Sequence, residues 1–202
     1  MSISGSAPRT LLEMAGAPLA PASLDQAVLV IIDAQREYLD GALPLDGIEP
    51  AMARIADLLA KARRLGTPIV HVAHKGRPGG LFDRDGEGGS FLEPAVPQDG
   101  ETVIEKSLPN AFAGTGLHDF IAATGRRGLI LAGFQTHMCV SATARAALDL
   151  GYLPTVVADA AATRDLPDPV SKQTLPARTV HATALAELAD RFAIVAPAAA
   201  IA

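Results

Sequence analysis

The sequence has a single cysteine, no tryptophan and few other aromatic residues, which make up 4% of its 202 residues. One cysteine excludes an internal disulfide framework and any zinc site built from several cysteines. Aliphatic side chains and alanine must therefore fill the core. Basic residues are also few, because 17 Lys and Arg stand against 22 Asp and Glu, giving a formal charge of −5. This balance argues against a broad nucleic-acid surface, but it is compatible with a small anionic substrate bound by a local positive potential.

Long apolar runs are missing as well, since no stretch approaches the roughly 18 continuous apolar residues of a membrane span. Residues 1–23 contain one Arg, one Glu and three Pro, and they lack the basic start and apolar block of a signal peptide. We therefore expect an N-terminal arm over residues 1–23 and a cytoplasmic protein with no membrane partner. The remaining composition, 49% apolar and 19% charged, is typical of one folded domain, here residues 24–202.

Short apolar runs alternate with helical stretches along this domain. Neighbouring parallel strands need crossover connections, so the alternation predicts an α/β fold: a three-layer αβα sandwich around a mostly parallel sheet of about six strands. The predicted strands are 27–32, 68–73, 102–104, 128–132, 155–158 and 193–196. The predicted helices are 51–65, 117–124, 139–150 and 180–191.

Residues 76–100 interrupt the alternation with a segment that is rich in Gly, Pro and Asp and has no periodicity. Loops of this length are uncommon in compact domains and are often functional. The segment is either a surface excursion or a flap, one that carries Phe82 and Phe91 over a pocket or onto a neighbouring subunit.

Three chemically active side chains follow predicted strands. Asp33 comes directly after the first strand, Lys106 comes shortly after the third, and Cys139 begins the helix after the fourth. Ligands of open parallel sheets bind beyond the carboxyl ends of the strands. We therefore expect the acid, the amine and the thiol at one edge of the sheet.

These three side chains supply the groups that acyl transfer at a C–N bond requires. A helix start and a nearby ammonium both favour the thiolate of Cys139. Asp33 could take the thiol proton and return it to a leaving amine, while backbone N–H groups at the helix start hold the oxyanion. Each residue alone also has a structural interpretation, as a buried thiol, a turn-forming Asp or a solvated Lys.

The sequence resembles the isochorismatase-like cysteine hydrolases over residues 24–196. That family includes nicotinamidases, N-carbamoylsarcosine amidohydrolases and ureidoacrylate amidohydrolases. The most specific motif is GFQTHMCVSATARAALDLGY, which is accompanied by VIIDAQREY, RRLGTPIVHVAH, IEKSLPNAFAGTGL, VVADAAATRD and VHATALAELADRFAIV.

The resemblance implies a catalytic triad. It makes Cys139 the nucleophile, Asp33 the general acid and base, and Lys106 the cation that supports the thiolate and positions the acid. It also implies a cis peptide bond between Phe134 and Gln135, which would aim the N–H groups of Gln135 and Cys139 at the oxyanion.

The resemblance also implies residues that line a substrate pocket. Gln35 and Tyr38 match pocket-lining positions of relatives. Phe112, Phe134 and His137 are further candidates for contact with a small-molecule substrate. His137 is equally well explained as a packed or capping histidine.

Two features of the sequence restrict the reactions that the resemblance implies. Nicotinamidases carry an Asp-x-His metal motif and a further His, whereas the stretch LDGALPLDGIEP after Tyr38 contains no His. His71 and His74 lie three residues apart in or just after a strand, so their side chains should face opposite ways. We therefore expect no metal and no other cofactor. The complete acid, lysine and cysteine set points to an amide, ureido or carbamoyl C–N bond.

Three functions stay open at this point. The first is a hydrolase of C–N bonds that forms a thioester. The second is an isochorismatase-type vinyl-ether or ester hydrolase, and the third is a non-catalytic or redox-responsive protein. Because relatives form dimers and larger assemblies, we also expect a homo-oligomer.

Overall fold

The computed structural model describes residues 7–202. Its central sheet has six strands in the order β3-β2-β1-β4-β5-β8, and every neighbouring pair is parallel. The strands are β1 (Ala27–Ile32), β2 (Ile69–His74), β3 (Thr102–Lys106), β4 (Gly128–Phe134), β5 (Leu153–Ala162) and β8 (Ile194–Ala196). Between them, β6 (Leu166–Pro167) and β7 (Thr174–Leu175) form a separate antiparallel pair. This architecture confirms the predicted parallel α/β sheet.

The helices cover both faces of the sheet. They are α1 (Leu11–Met14), α2 (Ile48–Leu65), α3 (Leu117–Ala123), α4 (Ser141–Asp149) and α5 (Ala177–Arg191). The core cluster on one face contains α2 residues, and the cluster on the other contains residues of α3, α4 and α5. No helix within residues 7–202 combines the length and apolar character needed to cross a membrane.

Strand β1 lies at the centre because all six of its side chains are apolar. Leu29 and Ile31 face the cluster that contains α2, whereas Val28 and Val30 face the opposite cluster. All of β1 is fully buried, as expected for a strand covered on both faces. The carboxyl end of β1 is therefore held rigidly where the candidate site begins.

Strand β4 approaches the end of β1 closely at Gly133. This glycine has a φ of 119°, and a Cβ atom there would lie 2.0 Å from the carbonyl oxygen of Ile32. Only a residue without a side chain allows this approach. The glycine thus brings the segment after β4 next to the segment after β1.

Several element boundaries differ from the predicted ones at the carboxyl ends of the strands. β3 continues through Lys106, and β4 continues to Phe134. The helix predicted to begin at Cys139 is preceded by a π-helical turn, Thr136–Val140, that contains this cysteine. Strand pairing extends these strands beyond their apolar runs, which is why hydrophobicity alone ended them early.

The arm before the domain packs on the amino-terminal edge of the sheet. Helix α1 begins with a capping box between Thr10 and Glu13, and the N–H of Leu11 donates to Asp190 Oδ1 at 2.9 Å. The N–H of Ala22 donates to Thr155 Oγ1, also at 2.9 Å. The described part of the arm therefore lies against α5 and β5, away from the carboxyl edge.

Candidate active site

The carboxyl ends of three strands bring Asp33, Lys106 and Cys139 into contact. Lys106 Nζ lies 2.7 Å from Asp33 Oδ2 and 3.3 Å from Cys139 Sγ. Because β2 separates β3 from β1, the long lysine side chain reaches across one strand to the end of the next. The three residues are 0%, 2% and 4% exposed, so solvent screens their charges very little.

Asp33 occupies a backbone conformation that few residues adopt. Its φ is 49°, which lies in the left-handed region where Asp and Asn are tolerated better than most residues. Its N–H donates to the carbonyl of Val72 at 2.8 Å, and its carbonyl accepts from the N–H of Gln35 at 2.8 Å. Such conformations persist where the surroundings hold them and are frequent at functional sites.

The thiol of Cys139 is protonated in the resting site. Burial and the negative charge of Asp33 raise its pKa to about 12, although the ammonium of Lys106 acts in the opposite direction. The lysine therefore favours the thiolate, as predicted, but burial outweighs its effect. Burial was the missing contribution, since a charged sulfur loses its hydration there.

The carboxyl of Asp33 is a stronger base than an exposed aspartate. Burial raises its pKa, and this outweighs the lowering caused by the charge and hydrogen bond of Lys106. A base whose pKa lies nearer to the working pH is better matched to proton transfer. Asp33 beside a protonated thiol is therefore placed to remove the thiol proton as the sulfur attacks.

His74 is a third neighbour of Lys106 that the sequence did not single out for the site. Its Nδ1 lies 3.2 Å from Lys106 Nζ. Burial and the lysine charge lower the pKa of His74 to about 4, so its ring is neutral at pH 7. Only its position opposite Lys106 in the β2–β3 register reveals the contact.

His71 and His74 face opposite ways, as strand alternation predicts. His71 Nε2 donates to Glu101 Oε2 at 2.8 Å, on the side away from Lys106. Within residues 7–202, no group of three or more His, Cys, Asp or Glu side chains is arranged to hold a metal ion.

The segment 76–100 folds over the site of its own chain. The ring of Phe82 packs edge-on against Tyr38, with centroids 4.9 Å apart, and against His74 at 5.2 Å. The buried carboxylate of Glu37 accepts a hydrogen bond from the N–H of Phe82. Phe82 of this segment thus contacts the site of its own chain, and we call residues 76–100 the flap.

Gln35 lies beside the triad, but its side-chain amide is engaged by backbone groups. Its Nε2 donates to the carbonyls of His74 and Gly89 at 3.0 and 2.9 Å, and its Oε1 accepts from the N–H of His74 at 2.8 Å. These bonds use both donors of the amide. Gln35 therefore holds the end of β2 and the flap together, rather than presenting a free amide to a substrate.

Tyr38, Phe134 and Gln135 form the wall next to the triad. Tyr38 and Phe134 pack edge-on with centroids 6.0 Å apart. Burial and the negative charge of Asp33 raise the pKa of Tyr38. The peptide bond between Phe134 and Gln135 is cis. These three predicted residues are thus gathered around the cysteine.

Phe112 and His137 make contacts of another kind. The ring of Phe112 stacks on Tyr152 with centroids 5.8 Å apart, against the core cluster beside α3 and α4. His137 Nδ1 lies 2.6 Å from Thr163 Oγ1, so it ties the π-helical turn to the end of β5. Both contacts are with protein groups, and a role of Phe112 or His137 in substrate binding stays a prediction.

Arg164 is a further residue that the sequence did not reveal. Its Nε is buried without a hydrogen-bond partner among the described residues, and its positive charge acts on both Tyr38 and His137. A guanidinium in this environment can bind a negatively charged group by donating hydrogen bonds to it. Arg164 lies within the motif VVADAAATRD, but the sequence assigned it no role in the site.

The parallel sheet, covered by helices on both faces and carrying a polar site at its carboxyl edge, places the chain in the class of three-layer α/β folds. The chain belongs to the isochorismatase family, since the Isochorismatase domain model matches residues 27–200. An isochorismatase from Pseudomonas putida KT2440 has a similar crystal structure, with a TM-score of 0.92 and 47% identity over 96% of this chain and 100% of the other.

Named relatives of the chain have several activities. The secreted isochorismatase effector Isc1 of Verticillium dahliae is 38% identical and covers 89% of this chain and 92% of its own length. A streptothricin hydrolase of Streptomyces noursei is 36% identical, over 86% of this chain and 63% of its own length. The maleamate amidohydrolase of Pseudomonas putida is 34% identical, over 64% of this chain and 68% of its own length. The family thus contains hydrolases, including amidohydrolases. Because one relative is secreted, the cytoplasmic location of this chain stays a prediction.

Proposed function

We propose that the protein hydrolyses an amide, ureido or carbamoyl C–N bond in a small molecule, with Cys139 as the nucleophile. The observation that carries this proposal is the position of Lys106, 2.7 Å from Asp33 Oδ2 and 3.3 Å from Cys139 Sγ in a buried site. A structural cysteine would be surrounded by apolar groups, whereas this one is next to a base and a cation.

The first half of the reaction forms a thioester. Asp33 removes the thiol proton of Cys139 as Sγ attacks the carbonyl carbon, and the carbonyl electron pair moves onto oxygen. The N–H groups of Gln135 and Cys139 stabilise this oxyanion. When the carbonyl re-forms, the C–N bond breaks, and the leaving nitrogen takes the proton from Asp33.

The second half regenerates the enzyme. Asp33, again a carboxylate, removes a proton from water as the water oxygen attacks the thioester carbon. Collapse of this second oxyanion breaks the C–S bond and releases the acid. The sulfur takes its proton back from Asp33, so the thiol of the resting site returns. Lys106 stays protonated throughout and holds the acid and the sulfur together.

The substrate class follows from the surroundings of the triad. Tyr38, Phe82 and Phe134 supply an apolar wall, and Arg164 supplies a positive charge beside it. Maleamate and ureidoacrylate, named for relatives, each combine a C–N bond with a carboxylate. We therefore propose a small amide or ureido compound that carries an acidic group.

A screen for ammonia release tests this proposal. Amides, ureas and carbamates, with and without a carboxylate, are incubated with the wild-type protein and with Cys139→Ala. The proposal predicts ammonia from at least one carboxylated compound, and a rate at least 1,000-fold lower for Cys139→Ala, since removal of a nucleophile costs that much or more. Full turnover by Cys139→Ala would refute the covalent mechanism.

Hydrolysis of a vinyl ether is the second candidate, because the Verticillium relative is named an isochorismatase. That reaction needs an acid to protonate the substrate and does not need a sulfur nucleophile. Isochorismate is therefore added to the screen. Cleavage of isochorismate at equal rates by wild type and Cys139→Ala, without ammonia release from any amide, would favour the vinyl-ether function.

A further inference from the structure

The terminal nitrogen of Lys106 is surrounded by three acceptors, one for each of its N–H bonds. Asp33 Oδ2 lies at 2.7 Å, Cys139 Sγ at 3.3 Å and His74 Nδ1 at 3.2 Å. An ammonium has three donors and no acceptor capacity. Two of the three contacts belong to the proposed chemistry, and the third has no role in it.

The contact determines which form of His74 is present. Because the ammonium can only donate, Nδ1 of His74 must accept, and the proton of the neutral ring then resides on Nε2. The ring is neutral at pH 7, since its pKa is lowered to about 4. His74 is therefore a fixed acceptor for Lys106 at the pH values at which Asp33 is ionised.

Backbone and flap contacts hold the ring of His74 in place. Its N–H and carbonyl both bond to the side-chain amide of Gln35, and the edge of Phe82 packs against the ring. His74 and Lys106 are also direct partners in the register of β2 and β3. The acceptor is thus supported from its own strand, from the segment after β1 and from the flap.

We propose that His74 is a positioning residue that holds the ammonium of Lys106 between Asp33 and Cys139. The proposal rests on the proposed function, because it assigns a purpose to the contact between Lys106 and the sulfur. Without the acceptor at Nδ1, the lysine loses one of three anchors. Its nitrogen then moves toward Asp33, with which it makes the shorter contact, and away from the sulfur.

The rate of Cys139 alkylation by iodoacetamide between pH 7 and 10 tests this inference without a substrate. Cys139 is the only cysteine of the chain, so the mass added to the peptide that contains Cys139 reports on the thiol. If His74→Leu lets the lysine move away, less thiolate forms, and the rate at each pH falls about tenfold, a shift of one pH unit. If the substitution only made the sulfur easier to reach, the alkylation rate would rise instead of falling.

Two further variants separate positioning from general damage. In His74→Asn, the amide oxygen can occupy nearly the position of Nδ1, so alkylation should stay within about threefold of wild type. His71→Leu removes a buried histidine of the same strand whose partner is Glu101, and it should leave the pH profile unchanged. His74→Phe serves as the variant without an acceptor if His74→Leu does not fold.

Three outcomes would overturn the inference: an unchanged profile in His74→Leu or His74→Phe, an equal loss in His71→Leu, or no recovery in His74→Asn. Failure of the proposed function has a different signature, namely a wild-type protein that releases no ammonia although its Cys139 alkylation still depends on His74.

Discussion

Asp33 and Lys106 form a buried ion pair in which each member compensates the charge of the other. Both side chains are fully buried. Removing one partner of such a pair costs about 3–5 kcal/mol, because the remaining charge stays buried and uncompensated. The pair therefore contributes to stability as well as to the proposed chemistry.

Lys106→Met should lower the free energy of unfolding by about 3–5 kcal/mol at pH 7.5. Without the lysine, the pKa of Asp33 rises further above its ordinary value, so the folded variant takes up a proton more readily than the unfolded chain. A raised carboxyl pKa means that stability is lost as the pH rises and regained as it falls. The loss in free energy of unfolding relative to wild type should therefore be smaller at pH 5 than at pH 7.5. Urea unfolding at both pH values measures this difference.

The double variant Asp33→Asn/Lys106→Met checks the cause of this loss. It contains no buried charge, so it should be more stable at pH 7.5 than Lys106→Met alone. Lys75→Met, which alters an exposed lysine, should leave the free energy of unfolding nearly unchanged. A double variant no more stable than the single one would show that lost packing, not charge, causes the effect.

At this scale, the residue types of the triad were predictable and their ionisation was not. Asp33, Lys106 and Cys139 were found because each follows a strand that an apolar run predicts. The pKa of Cys139 depends on burial and on two opposing charges at once, and the sequence contains none of these distances. His74 was missed because a strand pattern indicates the face of a side chain but not its partner on the next strand.

The carboxyl end of the flap is attached to the sheet. There, Glu101 accepts hydrogen bonds from Arg63 of α2, from His71 of β2 and from the N–H of Gln98. Burial of Glu101 opposes ionisation, but these hydrogen bonds prevail and lower its pKa to about 2. One carboxylate thus joins a helix, a strand and the flap.

Glu101→Gln should destabilise the protein by about 2 kcal/mol at pH 7, because hydrogen bonds to a charged group are lost. A carboxyl with a lowered pKa stabilises the fold above its unfolded pKa, near 4.5, and this contribution disappears as the pH falls toward 2. The difference between wild type and variant should therefore shrink from pH 7 to pH 3 in urea unfolding. An equal difference at both pH values would contradict the assignment, and the exposed Glu49→Gln serves as the control.

The elements themselves show where sequence patterns are informative. The apolar run of β1 predicted a buried strand, and residues 51–65 predicted a helix, whose apolar side chains pack in the core. The π-helical turn around Cys139 and the short strands β6 and β7 carry no periodicity, since they depend on contacts with other segments. The position of the flap likewise depends on contacts of Phe82 with Tyr38 and His74. No periodicity in the sequence indicates these contacts.

Over the whole molecule, exposed apolar side chains follow the carboxyl ends of five strands. They comprise Leu39, Leu81, Leu108, Met138 and Val170, which are 40%, 46%, 56%, 39% and 87% exposed, and further exposed apolar side chains such as Leu65 and Leu153 lie elsewhere in the described residues. Exposed apolar side chains are typical contributors to a contact surface between proteins. This arrangement supports the proposal that the chain forms a homo-oligomer.

Light scattering on the protein as it elutes from a size-exclusion column measures the mass of the particle in solution. We expect at least twice the chain mass of 20.8 kDa. A variant with Leu108→Glu and Val170→Glu should shift toward the monomer, because charges on a buried contact surface are costly. A wild-type mass of one chain at every concentration would contradict the proposal.

The covalent step at Cys139 is tested most directly by mass spectrometry of a reaction stopped in acid within milliseconds. The substrate is the compound that releases ammonia most rapidly in the screen. The account predicts a fraction of the protein that is heavier by the acyl part of that substrate, with the added mass on the peptide that contains Cys139. Sustained ammonia release with unmodified Cys139 at every time point, together with undiminished turnover by Cys139→Ala, would contradict it.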